Sequence, residues 1–307
     1  MDQIEILVAD GMSTDGTREI IREYRQSHPN IHLIDNHGKI VPTGMNAALR
    51  VAKGDFIIRV DGHCIISVDY ISKCVQHLEL DGVDGVGGPM ETIGETALSE
   101  TIAVAMSSSF GVGNSAFRTI TGKTLLVDTV PFPAFTRMMI EKAGFYDEEL
   151  VRDQDDEYNY RVRELGGKLL LAADIKSKYY SRGSLAKLWK QYFQYGYWKV
   201  RVLQKHPRQM SVRQFVPPLF VLSLIISILL VLLTPWGKWI LLLVAGSYLA
   251  ANLTASVLTA AKKGWGHLPL LPLTFLILHL SYGLGFLTGL IKFWKRWGDK
   301  TGRVPSY

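Results

Sequence analysis

The sequence predicts an α/β domain built on a parallel sheet, followed by α-helical segments that cross a membrane. Three observations predict it. In residues 1–175, short β-branched apolar runs alternate with stretches of helical periodicity, the pattern of strands joined by crossover helices. Three later runs, 215–233, 239–261 and 268–291, hold 19, 23 and 24 residues without Asp, Glu, Lys or Arg. Each can cross a bilayer, for which about 20 apolar residues suffice. Charge divides in the same way. Of 307 residues, the first 175 carry 27 of the 28 acids and 16 of the 34 bases, a net −11, while the remainder carries one acid and 18 bases, a net +17. The overall +6 therefore sums two unlike halves, and a purely soluble protein is excluded. A basic half of this kind points to a membrane surface or a nucleic acid, and the apolar runs favour the membrane.

The elements follow in order. Residues 4–9 read as a strand ending at Asp10-Gly11, and Thr14-Asp15-Gly16-Thr17 leads into a helix through Ile20, Ile21 and Tyr24. Residues 31–34 read as the next strand, residues 43–52 as a helix whose Gly44, Ala47 and Ala48 permit close packing, and residues 56–60 as a mostly apolar strand that stops at Asp61-Gly62-His63. In parallel sheets ligands collect at the carboxyl ends of strands, where Asp10 and Asp61 both fall. Asp15 reads as a turn or cap residue. Asp61 reads as functional, because Gly62 lets a ligand approach the backbone and His63 supplies a second ligand. A hard divalent cation commonly binds through one or two carboxylates plus substrate phosphates, which suggests a diphosphate substrate. Further on, Arg152-Asp153-Gln154-Asp155-Asp156-Glu157 opens a short helix that stops at Gly166-Gly167. Acids suit a helix N-terminus, and crowding also raises carboxylate pKa values, as a general base requires.

Cys64 and Cys74 are too few for a disulfide scaffold and lack CxxC spacing, so both read as free buried thiols. The start Met-Asp-Gln-Ile-Glu has neither the basic nor the apolar region of a signal peptide, and the acidic domain is expected to stay on the side of synthesis. Asn252-Leu253-Thr254 matches a glycosylation sequon inside an apolar run and reads as chance.

Together these segments resemble the family 2 glycosyltransferases over roughly residues 4–175. The resemblance implies the GT-A fold and a nucleotide-diphosphate sugar donor. Residues 5–17 are similar to the family's strand followed by Asp-Asp-Gly-Ser-Thr-Asp-Gly-Thr, with the base-contacting aspartate at Asp10 and Gly11 in place of the second acid. Lys39 lies where the family often has a base near the nucleotide, and Gly44-Met45-Asn46-Ala47-Ala48 resembles the helix ahead of the metal strand, bringing Asn46 into the nucleotide site. Residues 56–63 resemble the DxD strand, which implies Mg²⁺ or Mn²⁺ at Asp61, with His63 replacing the second acid. Gly144-Phe145-Tyr146-Asp147-Glu148 resembles the family's Gly-Phe-Asp-Glu turn. Residues 154–161 align with Glu-Asp-x-Glu-Leu-x-x-Arg, which puts the catalytic base on Asp155.

Val86-Gly87-Gly88-Pro89-Met90, residues 109–114 and 130–135, and Gln194-Tyr195-Gly196-Tyr197-Trp198-Lys199 resemble the succinoglycan-type exopolysaccharide glucosyltransferases. That subgroup implies transfer of one sugar, glucose from UDP-glucose, to a polyprenyl-diphosphate-linked saccharide, with inversion, beside polysaccharide assembly proteins. Tyr197 replaces the arginine of the processive Gln-x-x-Arg-Trp motif, which favours single addition. Residues 111–114 with 131–135 are candidates for the acceptor wall. The family's first strand, bearing Ile-Pro-x-x-Asn-Glu, has no counterpart, so the edge beside the Asp10 strand is expected to be open and the form truncated. A non-catalytic sugar-nucleotide-binding or assembly subunit is the alternative.

Residues 176–213 contain ten bases, no acid and many aromatics. They read as an interfacial helix on anionic lipid rather than a nucleic-acid site. The expected organisation is a GT-A domain at 1–175, this interfacial segment, a membrane region at 214–291 and a basic tail at 292–307. The location is the inner membrane, multi-pass, with the catalytic domain cytoplasmic. Three full crossings would place the tail outside, against the positive-inside tendency. Two would not, and 268–291, with Pro269, Pro272, Gly283, Gly285 and Gly289, is the span most suited to a re-entrant course. A channel or transporter is disfavoured, because the spans offer only His279 as an ionisable group of the kind transport pathways rely on.

Overall fold

The computed structural model describes residues 4–113, 115–120 and 122–299. The chain opens with β1 (Ile6–Asp10) and α1 (Thr17–Ser27). Gly16, at φ 89°, turns the chain into α1 with the left-handed backbone that suits glycine. The Asp15 carboxylate accepts the Thr17 amide and hydroxyl, so Asp15 serves the turn as expected. Next come β2 (Ile31–Asp35), α2 (Val41–Leu49), β3 (Phe56–Ile58), β4 (Cys64–Ile66) and α3 (Tyr70–Leu80). β5 (Gly85–Gly87), β6 (Met90–Ile93), α4 (Ala97–Met106), α5 (Ser109–Val112) and α6 (Ala116–Thr119) follow. β7 (Leu125–Leu126), β8 (Ala134–Thr136), α7 (Arg137–Ala143), α8 (Gln154–Glu164), β9 (Leu169–Leu171) and β10 (Ser177–Tyr180) complete the α/β part.

The main sheet runs β3-β8-β5-β9-β7, and it corrects the all-parallel expectation. Only β5 and β9 are parallel, whereas β8 is antiparallel to both β3 and β5, and β7 is antiparallel to β9. The cause is β8, which arrives from a long excursion rather than from a crossover helix and fills the place between β3 and β5. Nor are the Asp10 and Asp61 strands paired neighbours. Among the described residues β1 pairs only with β2 and β3 only with β8, leaving one edge of each unpaired. Glu5 links them, its carboxylate accepting the amides of Lys53 and Gly54 just ahead of β3. A third sheet, β4-β10-β6, carries the chain past residue 175 and toward the membrane helices. Val86, Ala134, Leu170 and Leu171 fill the centre of the domain together with Tyr70 and the buried thiol of Cys74, while Cys64 is half-buried and also free.

α9 (Leu185–Lys205), α10 (Val216–Leu233), α11 (Gly237–Lys263) and α12 (Leu271–Lys292) form the second half. The last three are long and apolar enough to cross a membrane, by length and composition. α10 and α11 leave most of their surface uncovered, whereas α12 is far more buried. The reason is α9, which packs along α12. A Cβ on Gly196 would lie 2.0 Å from the Tyr282 carbonyl oxygen, and one on Gly285 2.0 Å from that of Phe193. Both glycines let the backbones touch.

The basic half of α9 departs from the lipid-facing expectation. Lys199, Arg201 and Lys205 are buried and face acids of the α/β domain. Lys199 pairs with Asp153 and Asp156, Arg201 donates two hydrogen bonds to Glu149, and Lys205 reaches Asp147 and Glu149. Arg296, beyond α12, joins the same Glu149. Buried charge requires a partner, so part of the −11 and +17 cancels inside the protein.

Candidate active site

Asp61 lies three residues beyond β3, and Asp155 sits in the first turn of α8. Between them stands Arg59, 4% exposed. Its Nε and Nη2 donate to the two Asp61 oxygens at 2.7 and 3.1 Å, and its Nη1 donates to Asp155. Two carboxylates this close would repel, and the guanidinium between them fixes both. Arg59 was not singled out in the sequence, although a lone charge in Phe-Ile-Ile-Arg-Val is the signal that could have found it.

The acidic run separates by partner. Asp153 sits 2.9 Å from Lys199, Asp156 shares that ammonium, and Glu157 is held by Arg161 and His206. Asp155 alone points at Arg59, with 36% of its side chain exposed. Within the run, the carboxyl that burial pushes up to about 6 is Asp153, against the pull of Lys199. Asp153 also adopts φ 60°, a backbone uncommon for a side-chain-bearing residue.

Asp61, His63 and Asp155 line one cavity of about 330 Å³. His63 packs edge-on against Tyr179, ring centroids 5.1 Å apart. Burial holds its pKa below the ordinary value, and Arg182, Arg59 and Arg152 act in the same direction against Asp61. A neutral imidazole results, the form that ligates metals. As a cation site the pair is incomplete in itself, since no group of three or more His, Cys, Asp or Glu assembles among the described residues. One carboxylate and one imidazole suit a divalent ion whose remaining ligands are diphosphate oxygens and water.

The other predicted residues lie elsewhere. Asp10 accepts hydrogen bonds from the Ser13 hydroxyl and amide and from Arg18, which hold its pKa down to about 2. Lys39 is exposed beside it, its Cα 3.6 Å from the place of a Cβ on Gly11. Asn46 is buried and occupied: its amide donates to the Tyr146 carbonyl and Glu148, and its oxygen accepts the Tyr146 amide. It ties α2 to the turn after α7 and is not among the cavity residues. Of the candidate acceptor wall, Gly111, Val112, Gly113 and 131–132 line the cavity, whereas Asn114 lies outside the described residues. Pro217 of α10 and Leu278 and Tyr282 of α12 line the same cavity, so a single space joins the carboxylates to the membrane helices.

Comparison with known proteins identifies the family and the fold. The family described as Glycosyl transferase family 2 matches residues 1–147. The succinoglycan biosynthesis protein ExoA of Rhizobium meliloti (strain 1021) is 31% identical over 95% of this chain and 87% of its own length. The chain belongs to glycosyl transferase family 2. A second relative of this glycosyltransferase, from Methanococcus voltae, is 27% identical over 95% of the chain and 88% of its own length. It is named dolichyl N-acetyl-alpha-D-glucosaminyl phosphate 3-beta-D-2,3-diacetamido-2,3-dideoxy-beta-D-glucuronosyltransferase. The crystal structure of S. aureus TarS 1-349 is similar in fold, with a TM-score of 0.50 at 14% identity, covering 96% of this chain and 83% of that one. The glycosyltransferase therefore has a mixed α/β fold of the GT-A type, followed by three apolar helices.

Proposed function

We propose that this glycosyltransferase moves one glucose from UDP-glucose to a polyprenyl-diphosphate-linked saccharide at the inner membrane, with inversion. The observation that carries the reading is a single cavity lined both by Asp61 and Asp155 and by residues of α10 and α12. One relative supports a lipid-linked acceptor by name, acting on a dolichyl sugar phosphate, and the other, a succinoglycan biosynthesis protein, supports an exopolysaccharide product.

The chain's own residues divide the work. Asp155 accepts the proton of the attacking hydroxyl, a contribution of roughly 10²–10⁴ in rate for a positioned base. Arg59 keeps Asp155 aimed beside Asp61. Asp10 and Lys39 form the nucleotide end, and Gly111 to Gly113 form the acceptor wall. Asp61 and His63 would hold Mg²⁺ or Mn²⁺, which when bound would neutralise charge on the departing diphosphate. Asn46 supports the site through the turn it clamps.

Contacts along α12 support a membrane arrangement with two crossings. Just before its start the His267 ring bonds the Thr101 hydroxyl of α4 at 2.9 Å, and nearer its middle His279 bonds the Phe110 carbonyl. Past its end, the Phe293 carbonyl accepts from Gln204 and Arg296 reaches Glu149. Both ends thus meet the catalytic side. In this reading α10 and α11 cross as a hairpin, α12 stays against the domain, and the basic tail and catalytic domain share the cytoplasmic face, in line with the positive-inside tendency.

The test is incubation of radiolabelled UDP-glucose with membranes containing the protein and a lipid-linked acceptor, followed by organic extraction. Label in the lipid fraction, lost with EDTA, is expected. UDP-glucose binding without transfer would overturn the enzyme reading in favour of a binding subunit.

A further inference from the structure

The charges around the cavity do not cancel. Among the described residues six cations and four carboxylates line it. The carboxylates are all satisfied by two of the cations: Asp61 and Asp155 by Arg59, Asp153 and Asp156 by Lys199. Arg213 reaches Asp128 outside the lining. Three guanidiniums are left without a carboxylate in ion-pair range among the described residues. Arg118 donates to the Thr92 hydroxyl at 3.0 Å and lies over the rings of Phe117 and Tyr179. Arg152 donates to the Gln194 side-chain oxygen at 3.2 Å. Arg182, half-buried, has no hydrogen-bond or ion-pair partner among the described residues.

All three approach one region. Arg182 and Arg152 line the same cavity as His63, and Arg118 stacks on Tyr179, the ring that His63 packs against. Neutral partners hold Arg118 and Arg152 in place but leave their charge uncompensated. In a partly apolar cavity such charge favours the entry of an anion, and guanidinium forks fit phosphate oxygens in paired hydrogen bonds.

We infer that Arg118, Arg152 and Arg182 form a diphosphate-binding cluster that acts directly on phosphate oxygens, beside Asp61 and His63. The inference rests on the glycosyltransferase reading for its two sources of diphosphate, the sugar nucleotide and the lipid-linked acceptor. Three positive charges more than offset the two negative charges of the diphosphate diester in either, and the cluster binds it without a metal.

The test measures binding rather than transfer, on the full-length protein in detergent with EDTA present. The probes are UDP against uridine, and farnesyl diphosphate against farnesol, on wild type and on Arg118→Ala, Arg182→Ala and Arg182→Lys. The account expects wild type to bind at least one diphosphate, and each alanine variant to weaken it by about tenfold or more, the usual effect of losing a charged hydrogen bond. Uridine and farnesol binding should not change, which also shows the variants folded. Arg182→Lys should restore part of the loss. A loss confined to UDP assigns the cluster to the donor, one confined to farnesyl diphosphate assigns it to the acceptor, and a loss in both makes it shared. Diphosphate binding within about twofold of wild type in both alanine variants, or none by wild type, overturns it. Arginine-dependent binding without sugar transfer would leave the cluster standing and defeat only the enzyme reading.

Discussion

Arg59 determines how the two acids named from the sequence stand toward each other. Asp10, Asp61 and Asp155 were singled out because each lies at or just past a strand end or in the first turn of a helix, in a recognisable motif, a local property. The partner of Asp61 and Asp155 was not legible, because the Arg59 to Asp155 contact closes 96 residues of chain. Asn46 shows the same limit in reverse: its motif suggested a ligand contact, but its amide is engaged 100 residues away at Tyr146. If Arg59 positions the base, Arg59→Met should lower kcat far more than it raises KM for UDP-glucose. It should also lower stability by roughly 3 kcal/mol, since breaking a buried charge pair leaves carboxylates unmatched. Arg59→Lys should recover stability better than kcat, because an ammonium cannot bridge in the same fork. Equal loss of kcat in stable protein and rise of KM would contradict the role.

At the scale of elements, the strands and helices around the motifs were readable from their periodicity, while sheet order was not. β8 holds three residues, Ala134 to Thr136, in a stretch of prolines and aromatics, and nothing local says that it will separate β3 from β5. α9 was legible as a basic aromatic helix, yet which bases would turn inward depended on acids far upstream. Glu149 is the clearest case. Burial raises its pKa, but the hydrogen bonds and charges of Arg201 and Lys205 outweigh it and hold the carboxyl below the ordinary value. A lowered folded pKa means stabilisation that is complete above the unfolded value, about 4.3 for Glu, and lost as pH falls through the folded value. The join between α9, the segment after α12 and the domain should therefore loosen on acidification below about pH 4. Limited proteolysis of the detergent-solubilised protein should show faster cleavage near residues 293–299 at pH 3.5 than at pH 6. Glu149→Gln should show the faster cleavage already at pH 6. Unchanged cleavage in that variant would rule out the clasp.

For the whole molecule, the opposed halves of the sequence turn out to be two sides of one joint. Acids of the α/β domain meet bases of α9 and of the segment after α12, and the cavity opens at that joint. The same contacts predict two crossings rather than three. A C-terminal epitope tag should resist protease added outside spheroplasts and be cut once the membrane is opened, while digestion from outside would require a third crossing. The most direct test of the central claim, that one cavity brings a base to a lipid-linked acceptor, is the rate of glucose transfer from radiolabelled UDP-glucose into the lipid fraction by Asp155→Asn. The account predicts a loss of roughly a hundredfold or more with UDP binding retained, and transfer near the wild-type rate would contradict it.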